Sequence, residues 1–233
     1  MGQPQTVNGP GDSCVLVFVR APAIGKVKTR LAEMMDPRTV LDLYQCFVID
    51  VLDMLTQAGF QAVVCYHPQS AEQQVTAWLG DNYRYVPQEG SDLGARMANA
   101  FQAVFDQGCR RALLIGTDFP DLPAEIIQQA LDGLRQKGAV IGPADDGGYY
   151  LIGFAREHFL PVVFDAIPWG TKRVFEDTLR IISRHERHPL VLPRWRDIDE
   201  YEDLLAFAHA KGRARASAPH TCALLRSLGI KKD

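Results

Sequence analysis

Gly142–Phe154 reads GPADDGGYYLIGF. Two adjacent carboxylates, Asp145 and Asp146, precede two glycines and then an apolar run that opens on two tyrosines. Ala139–Ile141 just before the turn and Tyr149–Phe154 just after it have the apolar character of short buried strands. The turn between them cannot be core, because an unpaired buried carboxylate is destabilising by several kcal/mol, order of magnitude. Paired carboxylates on a glycine-lined turn suit a hard divalent cation or a polar substrate instead. Neighbours in an extended segment point opposite ways, so one of the two is expected to enter a site. Asp146, followed directly by glycines, is the better candidate. Gly147 and Gly148 would let a sugar or a base lie against the backbone.

The same strand-then-polar-loop pattern occurs twice upstream. CVLVFV, Cys14–Val19, is a continuous apolar run of the kind a central parallel strand shows. The loop after it carries Arg20, Lys26, Lys28 and Arg30 within eleven positions and no acidic residue. Lysine as a point charge and arginine as a bidentate fork suit phosphate. Lys28 and Arg30 share parity in an extended segment, so both could face one ligand. This is not a Walker loop: Arg20 stands at the motif's first glycine and Val27 follows Gly25-Lys26. The apolar run Ala112–Ile115 leads into GTDFPDL, Gly116–Leu122. Asp118 at a strand end can ligate Mg²⁺ or Mn²⁺ while phosphates supply further oxygens. Asp121 could do the same, but capping the next helix suits it better.

Between these strands lie helical patterns. Asp36-Pro37 starts one that buries Val40, Tyr44, Phe47, Val48, Val51, Leu52 and Leu55 and stops at Gly59. Leu93 to Phe105 and Ile126 to Leu134 carry two more, stopping at Gly108 and Gly138. Ala62–Tyr66 and Tyr83–Val86 read as strands, Ala71–Leu79 as a short helix. Later, Thr171 could cap a helix through Ile182, Leu190–Leu192 is a short strand, and Asp199 with Glu202 has capping-box spacing. Trp169-Gly170-Thr171 could wall an acceptor pocket. Asp197 and Asp199 could complete a metal site, although Asp199 is more simply an N-cap. Alternating strands and helices imply a mostly parallel α/β sheet, whose ligands sit beyond the carboxyl ends of the strands. Each of the three polar loops follows a strand, which is the reason to place them in one site.

Composition sets the frame. The chain has 233 residues, 47% hydrophobic and 23% charged, enough for one sizeable core. A net charge of −3 gives no reason to expect nucleic acid, and no apolar run approaches a membrane span. The polar, Gly/Pro-rich start reads as a disordered leader over 1–12, with one α/β domain over 13–210 and a basic tail over 211–233 that holds a short helix near Leu224. Five dispersed cysteines imply no disulfide framework and no zinc site. A cytoplasmic protein follows, with a homodimer among the assemblies open to it.

Six motifs in order, VRAPAIGKVKTRLA, QEGSDLGARM, GTDFPDL, GPADDGGYYLIGF, PWGT and DIDEYEDL, resemble a bacterial family of glycosyltransferase-like proteins. That family belongs to the nucleotide-diphospho-sugar transferase superfamily with the GT-A fold. The resemblance runs from about Cys14 to about Leu205. It implies a three-layer α/β/α architecture with a mostly parallel, mixed sheet and a Rossmann-like nucleotide half. It implies a divalent metal, Mg²⁺ or Mn²⁺, at Asp118, and Lys28 and Arg30 facing the nucleotide phosphates. Gln88, Asp92 and Arg96 would border the nucleotide or acceptor. The glycine-glycine loop common in nucleotidyltransferases is absent after the first strand, and no D-x-D motif follows Asp118, which leaves the second metal ligand open. The expected partners are a nucleotide sugar or a nucleoside triphosphate and a small-molecule acceptor. Three functions compete: glycosyl transfer, nucleotidyl transfer with pyrophosphate release, and a non-catalytic nucleotide-binding module.

Overall fold

The structure is a computed structural model that describes residues 12–185, 188–210 and 217–230. The expected leader, up to residue 11, and the start of the expected tail, 211–216, lie outside the described residues. Seven strands form one sheet: β1 Ser13–Arg20, β2 Ala62–His67, β3 Arg84–Pro87, β4 Arg111–Ile115, β5 Ala139–Pro143, β6 Tyr149–Ala155 and β7 Leu190–Val191. Their order is β3-β2-β1-β4-β6-β5-β7. β6 runs antiparallel to both its neighbours, β4 and β5, and every other pairing is parallel. The acidic turn is therefore a hairpin connection, and it brings β6 back through the middle of the sheet.

β1 shows why the apolar run is unbroken. Val15, Val17 and Val19 point into one core and Cys14 and Leu16 into the other, and all five are buried. On the first face lie α1 (Pro37–Gln57), α2 (Glu72–Leu79) and α4 (Ala124–Lys137). On the second lie α3 (Leu93–Asp106) and α5 (Val174–Arg184), packed around Phe101, Phe105, Phe154 and Phe164. Each such fully buried side chain contributes about 1.5–3 kcal/mol. The outer side of α1, through Val40, Leu43 and Phe47, packs on α6 (Tyr201–His209) and α7 (Pro219–Ser227). Asp36 caps α1 as its spacing predicts, accepting from the amides of Arg38 and Thr39 with Pro37 in the first turn. Among the described residues no helix is long and apolar enough to cross a membrane.

Three local expectations are corrected. The capping box of α6 is formed by Glu200 and Asp203, one residue beyond the predicted pair of Asp199 and Glu202. Asp199 is unavailable as a cap because its carboxylate is held by Lys28 and Arg30. Thr171 does not cap α5, whose N-cap is Arg173; the threonine hydroxyl donates to the Pro168 carbonyl and accepts from the Arg173 amide. Asp121 does not cap α4, which has Pro123 there; it accepts instead from the indole of Trp195, 3.0 Å away.

Candidate functional site

Strand order reverses between β1 and β4, since the chain moves outward from β1 to β3 and then returns to the other side of β1. The carboxyl ends of β1 and β4 open at this point into a cleft of about 610 Å³. Its walls include Arg20, Lys28 and Arg30 from the loop after β1, Asp118 from the turn after β4, and Asp146 and Gly148 from the β5–β6 hairpin. Trp169, Thr171, Asp197 and Asp199 complete it. Lys28, Asp118 and Asp146 thus share one cleft, as the three polar loops suggested.

Asp197 and Asp199 arrive by a route that local periodicity does not reveal. After β7 the chain stays beside the end of β5, where Ala144 and Trp195 form an isolated parallel bridge and the Asp145 amide donates to the Trp195 carbonyl. It then crosses to β4, and the Ile198 amide donates to the Asp118 carbonyl at 3.0 Å. Backbone bonds therefore hold the two acidic segments together.

Lys28 is the centre of the charged half. Its side chain is only 4% exposed. The ammonium lies 2.5 Å from Asp118 Oδ1 and 2.7 Å from Asp199 Oδ1, and it donates to the Ile198 carbonyl at 2.7 Å. An ammonium has three donors, and these contacts use all of them. Burial opposes the charge, but the two carboxylates outweigh it and hold the Lys28 pKa above its ordinary value. The backbone of Lys28 takes the left-handed conformation, φ 45°, which is uncommon for a side chain of this size. Arg30 reaches the other oxygen of Asp199 at 3.4 Å but stays 62% exposed, so that contact is worth little. Arg20 is fixed at its backbone: Tyr44 Oη accepts from the Arg20 amide and donates to the Arg20 carbonyl.

The carboxylates differ in what they have left to offer. Both oxygens of Asp199 are engaged. Asp118 Oδ2 and Asp146 Oδ2 have no protein partner among the described residues, Asp146 using its other oxygen to accept from the Gly148 amide at 2.7 Å. Burial pushes Asp197 up to about 6, and the negative charges of Asp146, Asp199 and Asp203 add to the shift. Asp145 faces away from this cluster and approaches Arg196 at 3.5 Å. Among the described residues no group of three or more His, Cys, Asp or Glu is arranged to hold a metal alone. Two half-free carboxylates fit a cation that draws its remaining oxygens from phosphate and water, which is how Mg²⁺ is commonly held.

Several expected site residues do not line the cleft. Gln88 is buried, and its amide donates to the carbonyls of Cys65 and Val19, tying β2 to β1. Asp92 caps α3 through the Ala95 amide, and Arg96 donates to the Gly90 carbonyl. Lys26 and Asp121 also fall outside the lining. Gly147 serves packing: at φ 92°, a Cβ there would meet the Lys172 backbone, with Cα 2.5 Å away. What the sequence did not disclose is the cleft's second half, where Phe18, Leu93, Met97, Leu114 and Tyr149 stand beside Trp169. The signal was present in Leu93, a leucine in the first turn of α3 next to its cap, but it read as part of the helix's core stripe.

Fold and cleft together define a class: this is the GT-A-like fold of nucleotide-diphospho-sugar transferases. The chain belongs to the DUF2064 family, described as uncharacterized proteins conserved in bacteria, whose profile matches residues 51–171. It is similar, at 41% identity and TM-score 0.88, to a candidate nucleotide-diphospho-sugar transferase from Desulfovibrio desulfuricans G20, over 95% of this chain and 99% of that one. More distant likenesses show the fold alone. One is 4-diphosphocytidyl-2C-methyl-D-erythritol synthase from Anaerococcus prevotii, at 13% identity and TM-score 0.51 over 92% and 97% of the two chains. Another is the inositol-1-phosphate CTP transferase from T. maritima, at 11% identity and TM-score 0.52 over 91% and 97%. No protein of curated function matches the sequence.

Proposed function

We propose that the protein is a transferase using a nucleotide-activated donor, and that its reaction is glycosyl transfer from a nucleotide-diphospho-sugar to an acceptor. The observation that carries this is one cleft at the sheet's switch point with arginines on one wall and half-free carboxylates on another. The 41% identical protein from D. desulfuricans, described as a candidate nucleotide-diphospho-sugar transferase, supports the same reading. Arg20 and Arg30 would meet the diphosphate, Arg30 swinging from its loose contact with Asp199. Asp118 and Asp146 would hold a Mg²⁺ or Mn²⁺ shared with the phosphate oxygens. When bound, the metal would supply charge neutralisation for the departing nucleoside diphosphate. Lys28 would act beneath the surface, fixing Asp118 and Asp199 and balancing their charge, since its donors are already engaged.

Positioning and charge neutralisation would serve nucleotidyl transfer equally. The absence of a glycine-glycine loop after β1 favours the glycosyl reading. Thermal-shift measurements with nucleoside triphosphates and nucleotide sugars, with and without Mn²⁺, test it. Metal-dependent stabilisation by nucleotide sugars is the expected result. Pyrophosphate release from a triphosphate would move the assignment to nucleotidyl transfer, and binding without turnover on broad acceptor panels would leave a nucleotide-binding module.

A further inference from the structure

The cleft is divided, and its uncharged half has its own chemistry. Phe18, Met97, Leu114, Tyr149 and Trp169 belong to the apolar cluster on the α3–α5 face of the sheet, which surfaces here instead of closing. Tyr149 crosses the Trp169 ring edge-on at 6.4 Å, and among the described residues its hydroxyl meets only the thioether of Met97, at 3.7 Å. Burial pushes the Tyr149 phenol up, so it stays neutral. Leu93, at the start of α3, is 43% exposed on the same wall. Thr171 adds little, because its hydroxyl is bonded to the Pro168 carbonyl. The Nε1 and Cζ2 edge of the Trp169 indole packs against Gly94 of α3.

A sugar placed against this wall would lose water from its hydroxyls and find few replacements, at about 1–3 kcal/mol for each unsatisfied group. An apolar body gains where a sugar loses, at about 0.8 kcal/mol per buried methylene. We infer that this half binds the acceptor, and that the acceptor is a molecule whose receiving group is carried on an aromatic or alkyl body. The inference rests on the transferase reading for the word acceptor, while the apolar site itself does not.

A series of 4-alkylphenols, from ethyl to hexyl, is titrated against the full chain with tryptophan emission as readout. The experiment is run without nucleotide and again with a saturating Mn²⁺–nucleotide complex. The expected result is an affinity that rises about three- to fourfold per added methylene, persists with nucleotide bound, and falls at least fivefold in Leu93→Asp while that variant melts as the wild type does. Flat affinity along the series, or an unchanged affinity in Leu93→Asp, would overturn the inference. Loss of phenol binding when nucleotide is added would also overturn it, since the wall would then belong to the nucleobase. If no nucleotide binds at all, the transferase reading fails, and the phenol series still decides whether the apolar site exists.

Discussion

The ammonium of Lys28 stands 2.5 Å from Asp118 Oδ1, buried, while that carboxylate remains 44% exposed. One partner is thus nearly buried in the cleft wall, and the other is open to the ligand space. Removing a partner from a buried pair costs up to about 3–5 kcal/mol. Here both carboxylates keep access to water, Asp199 at 34% exposure, so the loss is smaller. Lys28→Met, which keeps a chain of similar length but removes the ammonium that also lies 5.8 Å from the Phe47 ring centre, should cost about 1–3 kcal/mol in denaturant unfolding. Mn²⁺ should then stabilise the variant more than the wild type, because the carboxylates lack their built-in counter-charge. Unchanged stability would show that the ammonium does not organise this pair.

Asp118→Asn keeps the side-chain shape and removes the charge that a cation would need. It should weaken Mn²⁺-dependent nucleotide binding by tenfold or more, on the order of 1.4 kcal/mol, with metal-free nucleotide binding preserved. Calorimetric titration with and without Mn²⁺ separates the two. An Asn variant that binds the metal–nucleotide complex like the wild type would remove Asp118 from the ligand set.

α7 is held by a carboxylate from another helix. Its own N-cap, Ala218, offers no side-chain acceptor. Asp50, buried in α1, accepts instead from the His220 and Thr221 amides at 2.9 Å each and from the Thr221 hydroxyl at 2.6 Å. Capping bonds are worth about 0.5–2 kcal/mol, and the buried amides left behind add to the loss. Asp50→Ala should therefore cost about 2–4 kcal/mol and should raise hydrogen exchange in 219–227 before the sheet is affected. Exchange that rises evenly over the whole chain would refute this anchoring.

These cases show what the sequence made legible. The strands and main helices could be read because continuous apolar runs and 3.6-residue periodicity are local signals, as in β1 and α1. Asp118, Asp146 and Lys28 could be grouped because each follows a strand. The resemblance implied a mixed sheet, but that β6 is the strand running antiparallel was not legible, since an apolar strand buried on both faces looks alike in either direction. The burial of Lys28 was not legible either: its partners lie 90 and 171 positions away, and spacing cannot report that a basic loop folds inward. Asp199 likewise read as a cap because its competition with Lys28 is tertiary.

Gly94 provides the last prediction. A Gly→Ala change inside a helix ordinarily stabilises by about 0.5–1 kcal/mol, through the entropy of the unfolded chain and better propensity. At Gly94 a Cβ would overlap the Phe164 carbonyl oxygen and lie 3.0 Å from both Trp169 Nε1 and Cζ2. The carbonyl belongs to backbone, so it cannot turn aside as a flexible side chain would. Overpacking of this kind costs about 1–3 kcal/mol, which reverses the ordinary sign. Gly94→Ala should lower the melting temperature, and the indole, pushed from α3 toward the cleft, should shift its emission to the red. The same variant should weaken 4-hexylphenol binding through the displaced ring. A stabilised Gly94→Ala protein with unchanged emission would mean that the close fit of α3 against Trp169 does not hold the cleft's apolar wall in place.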